Sequence, residues 1–399
     1  MARRRSCGVC AIIPDYPVEK LDIKLIVEPD DRETRRAIEL LKLGPPFELI
    51  VAPQRGPRTK PKALNAALPF ARGTFTVIYD AEDRPEPDQL RKALDAFVAH
   101  GERLACVQAS LTIDNAADNW LTAMFTAEYA AQFDVFLPAW AMLGLPLPLG
   151  GSSNHFRTAT LRVVGAWDSY NVTEDTDLGL RLARFGYRTT TIAPATYEEA
   201  PARLGAWLRQ RTRWFKGWMQ TWLVHMRSPA RLWRDLGFPG FLAVQLIVGG
   251  NVLAALVHPL IIAWAAVALA TGTPLFSTSN SGTLFQICVI AGYAVSALLG
   301  FAGLFRRGLT VHAWALLLVP IHWLLLSAAA WRALYQLLRD PYRWEKTEHG
   351  LARTSRVLKR RSVDEIIAEI LKPPRGAAAA AFWIPDQAKL ARWLQLTER

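Results

Sequence analysis

Cysteine is scarce in this sequence, at 4 residues, which argues against a small fold stapled by disulfides. Cys7 and Cys10 have the spacing of half a zinc or redox site, but no second pair answers them. Cys106 and Cys288 stand in apolar runs and read as small core residues. The basic start, MARRRSCGVCAIIP, has too short an apolar part for a signal peptide, so no cleavable leader is expected. No aromatic RNA-binding signature accompanies the formal charge of +12, so nucleic acid is not an expected partner. Charge itself is nearly missing from residues 238–338. Lys and Arg beside such tracts gather on the cytoplasmic side and face anionic lipid, which accounts for the basic balance.

What is present begins with an α/β alternation. Residues 22–28, 47–52, 75–79 and 103–113 read as short apolar strands. Helical patterns over 32–43, 61–71 and from about Asp88 separate the first of them. Strands alternating with helices predict a mostly parallel sheet, with ligands outside the strands' carboxyl ends. Residues 118–145 are aromatic-rich and amphipathic; they either lie on the bilayer surface, cover the sheet or form a core helix.

Several clusters carry chemistry. Asp80, Glu82 and Asp83 crowd the end of the third strand. Like charges repel unless a cation or protons neutralise them, so the cluster is either a divalent metal site or a solvated acidic turn. Lys60 and Lys62, just upstream, could neutralise phosphate oxygens or merely decorate a loop. Residues 149–157 (LGGSSNHFR) form a Gly/Ser loop that could let backbone approach a ligand, and His155 within it reads as structural. Glu174 and Asp175 could deprotonate an acceptor hydroxyl or cap the helix over 178–185. Residues 202–222 form a basic, Trp-rich helix on which Gln210, Arg213 and Trp214 fall within about a turn. A guanidinium there can grip a diphosphate and an indole can face a sugar ring, or the helix is an interfacial anchor.

Taken in order, Asp30/Asp31, residues 62–65 (KALN), Asp80 to Asp83, Gly151 to Arg157, Thr173-Glu174-Asp175 and Gln210 to Trp214 resemble glycosyltransferase family two. More narrowly they look like its membrane-embedded synthases, related to cellulose, chitin, hyaluronan and poly-N-acetylglucosamine synthases. The resemblance implies a nucleotide-diphosphate-sugar transferase (GT-A type) fold and an inverting mechanism. Asp30, Asp31, Lys62 and Asp80 would bind a UDP-sugar donor. Asp80 and Glu82, with Asp83 sharing, would hold Mg²⁺ or Mn²⁺. Asp175, beside Glu174, would be the general base, and Gln210, Arg213 and Trp214 would line the acceptor site. The expected product is a β-linked exopolysaccharide at the inner membrane, which would bring in an accessory export protein. The alternative acceptor is a lipid. The family's opening Val-Pro-x-Tyr strand is not supplied by residues 1–14, so the start looks truncated. That departure is the one support for a rival of another class, a non-catalytic membrane protein.

The expected organisation is a cytosolic transferase domain over 1–200, an interface helix over 201–236, a transmembrane region over 237–338 and a basic tail over 339–399. Apolar stretches at 239–270, 284–305 and 309–338 are each long enough for a span, which needs about 20 residues. Three crossings would leave the basic segment 339–361 outside, against its charge, so one stretch should be re-entrant, interfacial or a hairpin. The first, which contains Pro259, is the candidate.

Overall fold

Strands β1 (Ile23–Val27) and β2 (Phe47–Val51) are rich in the branched and aromatic residues that suit a pleated surface. They pair in parallel, from Ile23 opposite Phe47 to Val27 opposite Val51, with helix α1 (Arg32–Leu40) as the crossover. This computed structural model describes residues 15–272 and 280–341, with Glu345 and Thr354. Cys7, Cys10, the rest of residues 1–14 and most of the basic tail lie outside the described residues, so the expectation of a truncated start falls there too.

Helix α2 (Lys60–Ala67) leads to a five-stranded sheet. Its strands are β3 (Phe75–Ile78), β4 (Arg84–Pro85), β5 (Leu104–Ile113), β6 (Asn154–Arg157) and β7 (Arg188–Glu198), in the order β3-β6-β5-β7-β4. Helix α3 (Gln89–His100) packs Ala93 and Phe97 under β5. The sheet is mixed rather than mostly parallel. β5 and β7 run in parallel, whereas β6 is antiparallel to both β3 and β5. The cause is the long excursion after β5. The chain leaves that strand's carboxyl end through α4 (Trp120–Ala131), a π-helical turn (Gln132–Phe136) and α5 (Leu137–Met142). It re-enters at the same end, where Asn154 pairs with both Ile78 and Gln108, so β6 has to run the other way.

Helix α4 is a core helix with two faces. Leu121, Phe125 and Tyr129 pack on Leu111 and Ile113 of the sheet. Ala127 and Ala130 meet Leu304 of a long apolar helix on the other side. A capping box starts it: the Asn119 side chain accepts from Thr122 N (3.1 Å), and the Thr122 hydroxyl accepts from Asn119 N (3.1 Å).

After α6 (Thr158–Val163) come α7 (Glu174–Arg184) and α8 (Leu204–His225). The apolar region then comprises α9 (Pro229–Val244), α10 (Asn251–Thr271), α11 (Asn280–Arg306) and α12 (Val319–Arg339). A π-helical turn (Gln245–Gly250) joins α9 to α10, and a 3-10 helix (Thr310–Leu318) precedes α12. Three helical segments, Pro229–Thr271, Gly282–Arg306 and Thr310–Arg339, are long and apolar enough to cross a membrane. Inside the first, Gly237 takes φ +67°, and the helix breaks there.

Two contacts tie this region to the sheet. A Cβ on Gly303 of α11 would lie 2.3 Å from the Ala130 carbonyl carbon, so only glycine permits this crossing. Arg307, just past α11, bonds Leu111 O (2.9 Å) and Ser110 Oγ (3.1 Å) and is ion-paired with Asp134. Helix α12 lies along α8: His322 meets Trp207, Ala329, Ala330 and Ala333 pack on Phe215 and Met219, and Gln220 Nε2 donates to Pro341 O (3.0 Å).

Candidate active site

The carboxyl ends of β3, β5 and β7 and the loop entering β6 meet at a cavity of about 1200 Å³. β3 runs straight into Asp80-Ala81-Glu82-Asp83. Asp83 N donates to Asp80 O (3.0 Å), and Asp80 N donates to Asp83 Oδ2 (2.7 Å). The Ser152 hydroxyl also donates to Asp83, which is 2% exposed. Burial and the Asp80 charge push the Asp83 carboxyl up to about 7. Asp83 therefore shapes the turn that presents Asp80 and Glu82 to the cavity.

Lys60 sits among these acids. Its ammonium pairs with Asp80 and donates to Gly151 O (2.7 Å). Burial alone would lower its pKa, but Asp80 and Glu174 outweigh burial and hold it raised. Glu198, at the end of β7, is pushed well up by burial and then by Asp83 and Asp80. Carboxylates outnumber cations here, which favours a bound cation. Among the described residues no three His, Cys, Asp or Glu side chains already form a metal cage. Asp80 and Glu82 nonetheless fit Mg²⁺ or Mn²⁺ bound through one or two carboxylates, with a substrate's phosphates completing the shell.

Glu174 and Asp175 form the first turn of α7 across the cavity. Both readings of this segment meet the structure halfway. Thr173 stands at the N-cap position, yet its side chain makes no cap bond; Asp175 Oδ1 accepts from Thr176 N (2.7 Å). Burial, then the Asp175 charge, pushes Glu174 up to about 7, and burial raises half-buried Asp175. A Cβ on Gly151 would lie 3.3 Å from Asp175 Oδ2, so the glycine loop brings backbone close to this carboxylate.

Helix α8 supplies the opposite wall. Gln210, Arg213 and Trp214 all line the cavity. Arg213 Nη1 reaches Val172 O (3.3 Å), and its charge faces Glu174, Asp175 and Asp80. Trp214 stands edge-on to Phe125 at 5.9 Å. What registers α8 against α7 is Gly217: a Cβ there would lie 2.3 Å from Thr173 Oγ1.

At the donor end other residues form the cavity wall. Asp30, Asp31 and Lys62 stand off the cavity wall, and Glu28, Arg58 and Lys60 line it instead. Asp31 caps α1 through Thr34 N (3.2 Å). Asp30 pairs with Arg58 (2.5 Å). Lys62 is buried against Glu28 Oε2 (3.2 Å) and Pro53 O (3.0 Å). Residues two apart on a helix do not share a face, so when Lys60 points into the cavity Lys62 cannot. His155 is fixed in the sheet by Val107 O (3.2 Å) and takes no place on the wall.

Sequence reasoning missed a polar cluster deeper in the cavity. Arg211 pairs with Glu128, and His322 Nε2 of α12 lies 3.0 Å from the same carboxylate. Burial would raise the Glu128 pKa, but Arg211 and His322 outweigh it and hold the group at about 2. The Arg211 guanidinium lies over Phe125 at 4.5 Å and Trp214 at 4.7 Å. A glutamate inside an aromatic helix was the available signal.

The family model described as glycosyl transferase family group 2 matches residues 75–338. A probable glycosyltransferase, YdaM, of Bacillus subtilis is 26% identical over 51% of this chain and 49% of its own length. The probable glucomannan 4-beta-mannosyltransferase 1 of Arabidopsis thaliana is 25% identical over 53% of this chain and 39% of its own. The beta-monoglucosyldiacylglycerol synthase of Synechocystis is 26% identical over 59% of this chain and 50% of its own. The chain thus spans half or less of the length of each of these relatives. In fold, it is similar to a mannosyltransferase of Pyrobaculum calidifontis solved with GDP-Man and Mn²⁺, at TM-score 0.50 and 19% identity over 84% of this chain and 81% of that one. With the family model covering the five-stranded sheet, the site residues from Asp80 onward and the apolar helices, the chain belongs to glycosyl transferase family group 2.

Proposed function

We propose that this protein transfers a hexose from a nucleotide-diphosphate sugar, a UDP-sugar by the sequence resemblance, to a hydroxyl acceptor at a membrane face. The observation that carries the reading is the shared cavity: the acidic turn and Lys60 stand on one wall, and Asp175, Arg213 and Trp214 on the other. Asp80 and Glu82 would hold Mg²⁺ or Mn²⁺, which supplies positive charge to the donor diphosphate. Lys60 and Arg213 add charge that a departing diphosphate needs. Asp175 takes the proton of the acceptor hydroxyl. The acceptor oxygen forms its bond to the anomeric carbon as the bond from that carbon to the diphosphate oxygen breaks, and the nucleoside diphosphate leaves with the electron pair. One displacement inverts the centre, so an α-linked donor gives a β-linked product. Asp175 is preferred over Glu174 because it is partly exposed, whereas Glu174 is 6% exposed.

Asp175→Asn is expected to abolish transfer and leave UDP binding largely intact, measured as labelled-sugar transfer in membranes beside UDP titration. Surviving turnover would remove Asp175 from the role of base.

The contacts support one membrane arrangement. Helices α10 and α11 are read as the crossing pair, outward and back, since Arg307 returns α11 to the sheet. The segment 310–339 is read as lying along α4 and α8 on the cytosolic side, which moves the non-crossing role from the first apolar stretch to the third. The basic tail then stays inside, as its charge requires. In this reading the protein sits in the inner membrane with its transferase domain in the cytosol.

A further inference from the structure

An indole presents a flat face, and what meets that face depends on how the ring is held. Trp214 lines the cavity and is partly buried. The Arg211 guanidinium lies over its ring at 4.7 Å, and over Phe125 and Trp207 at 4.5 and 5.4 Å. Positions 207, 211 and 214 of α8 are four and three apart, so they share a face. Phe125 of α4 stands edge-on to Trp214 at 5.9 Å. What fixes the guanidinium comes from two other helices. Glu128, about one turn after Phe125 on α4, pairs with it through Oε2, and His322 Nε2 of α12 lies 3.0 Å from Oε1. The His322 ring also stands edge-on to Trp207, at 5.4 Å. Arg211 and His322 are 8% and 2% exposed, too enclosed to grip a ligand themselves. Burial would raise the Glu128 pKa, but Arg211 and His322 hold it at about 2, so the carboxylate keeps its charge at any working pH.

We infer that Arg211 is a positioning residue for the acceptor platform: fixed by Glu128 and His322, its guanidinium covers one face of the Trp214 indole and turns the other toward the acceptor. The inference rests on the sugar-transfer reading, in which Trp214 meets the acceptor, and adds the residues that aim it. Through His322, helix α12 acts on the platform without touching the acceptor. A lysine at this position would keep the charge and the pairing with Glu128, but it has no plane to lay on an indole. That difference separates aiming the ring from merely tying α4 to α8.

The test uses the full chain in phosphatidylcholine nanodiscs, with donor and acceptor KM measured separately. A panel of labelled UDP-sugars is offered with a β-linked tetrasaccharide or with diacylglycerol, and whichever takes the label serves as acceptor. Arg211→Lys should raise the acceptor KM about tenfold and leave kcat and the donor KM nearly unchanged, because the platform contact is shared by ground and transition states. In fluorotryptophan-labelled protein, the fluorine resonance that Trp214→Phe removes should shift in Arg211→Lys. Thermal melts check that the variant is folded. If it is not, His322→Gln, which loosens Glu128 from one side, carries the comparison with a smaller rise in acceptor KM. An acceptor KM indifferent to the folded variant, donor and acceptor KM raised alike, or an unmoved Trp214 resonance overturns the inference. If no UDP-sugar turns over yet the Trp214 resonance follows the variant, the aiming of the indole stands and the sugar-transfer reading falls.

Discussion

The two carboxyls at the start of α7 divide one task. Glu174 is buried beside Asp175 and is pushed up to about 7, burial first and the neighbouring charge second. Asp175 is raised as well, by burial. A base has to be unprotonated to act, so a raised pKa costs activity on the acid side and leaves the alkaline side alone. Turnover should therefore fall on the acid side, with a break above the ordinary aspartate range, approaching about one decade per pH unit. Glu174→Gln removes the adjacent charge, and the break in the pH–rate profile should move to lower pH. An unmoved break would mean the two carboxyls titrate independently. Residue identities here were legible in the sequence: Asp80, Glu82, Asp175, Gln210, Arg213 and Trp214 all reach one cavity. Phase was not. Which of Lys60 and Lys62 faces the cavity depends on how α2 is rotated, and a lysine pair in a Pro-rich loop gives no stripe from which to read that rotation.

At the scale of elements, the site is set by how closely α7 and α8 approach. Gly217 is the contact point, with room for a hydrogen but none for a methyl against Thr173. Two further bonds hold the pair: Asn171 Nδ2 to Thr221 Oγ1 (2.8 Å), and His225 Nε2 at 3.0 Å from Asp177 Oδ1. Gly217→Ala should push the helices apart and carry Asp175 away from the acceptor. A misplacement of about 1 Å costs roughly a hundredfold in turnover, and UDP binding should be spared. Adding Thr173→Ala should restore part of the loss, and a double-mutant cycle measures how much. Additive losses would show that the contact does not set the geometry. Element positions were mostly readable, because strands ending in acids and a Trp-rich helix leave strong local patterns. The antiparallel entry of β6 was not, since the turn of the α4–α5 excursion is a tertiary decision made by Leu121, Phe125 and Tyr129 on the sheet.

At the scale of the whole molecule, length and hydropathy marked three apolar segments but could not tell a crossing helix from one laid along a surface. The proposed arrangement draws that distinction from partners such as Phe215 and Met219, which pack on Ala329, Ala330 and Ala333 of α12. In a background with the native cysteines replaced, Thr271→Cys should react with a membrane-impermeant maleimide added outside intact cells. Asp340→Cys should react only after permeabilisation. Labelling of both from outside would make the third segment a true span and place the tail outside.

The Gly303–Ala130 crossing has a practical meaning for handling the protein. Removing the apolar helices to obtain a water-soluble enzyme would strip α11 from Ala127 and Ala130 and leave that face of α4 bare. The same cut would take Arg307 from Asp134 and Ser110, leaving the aspartate without its counter-ion. An excised cytosolic fragment would thus carry a new adhesive surface, and aggregation rather than a clean soluble domain is what such surgery should yield.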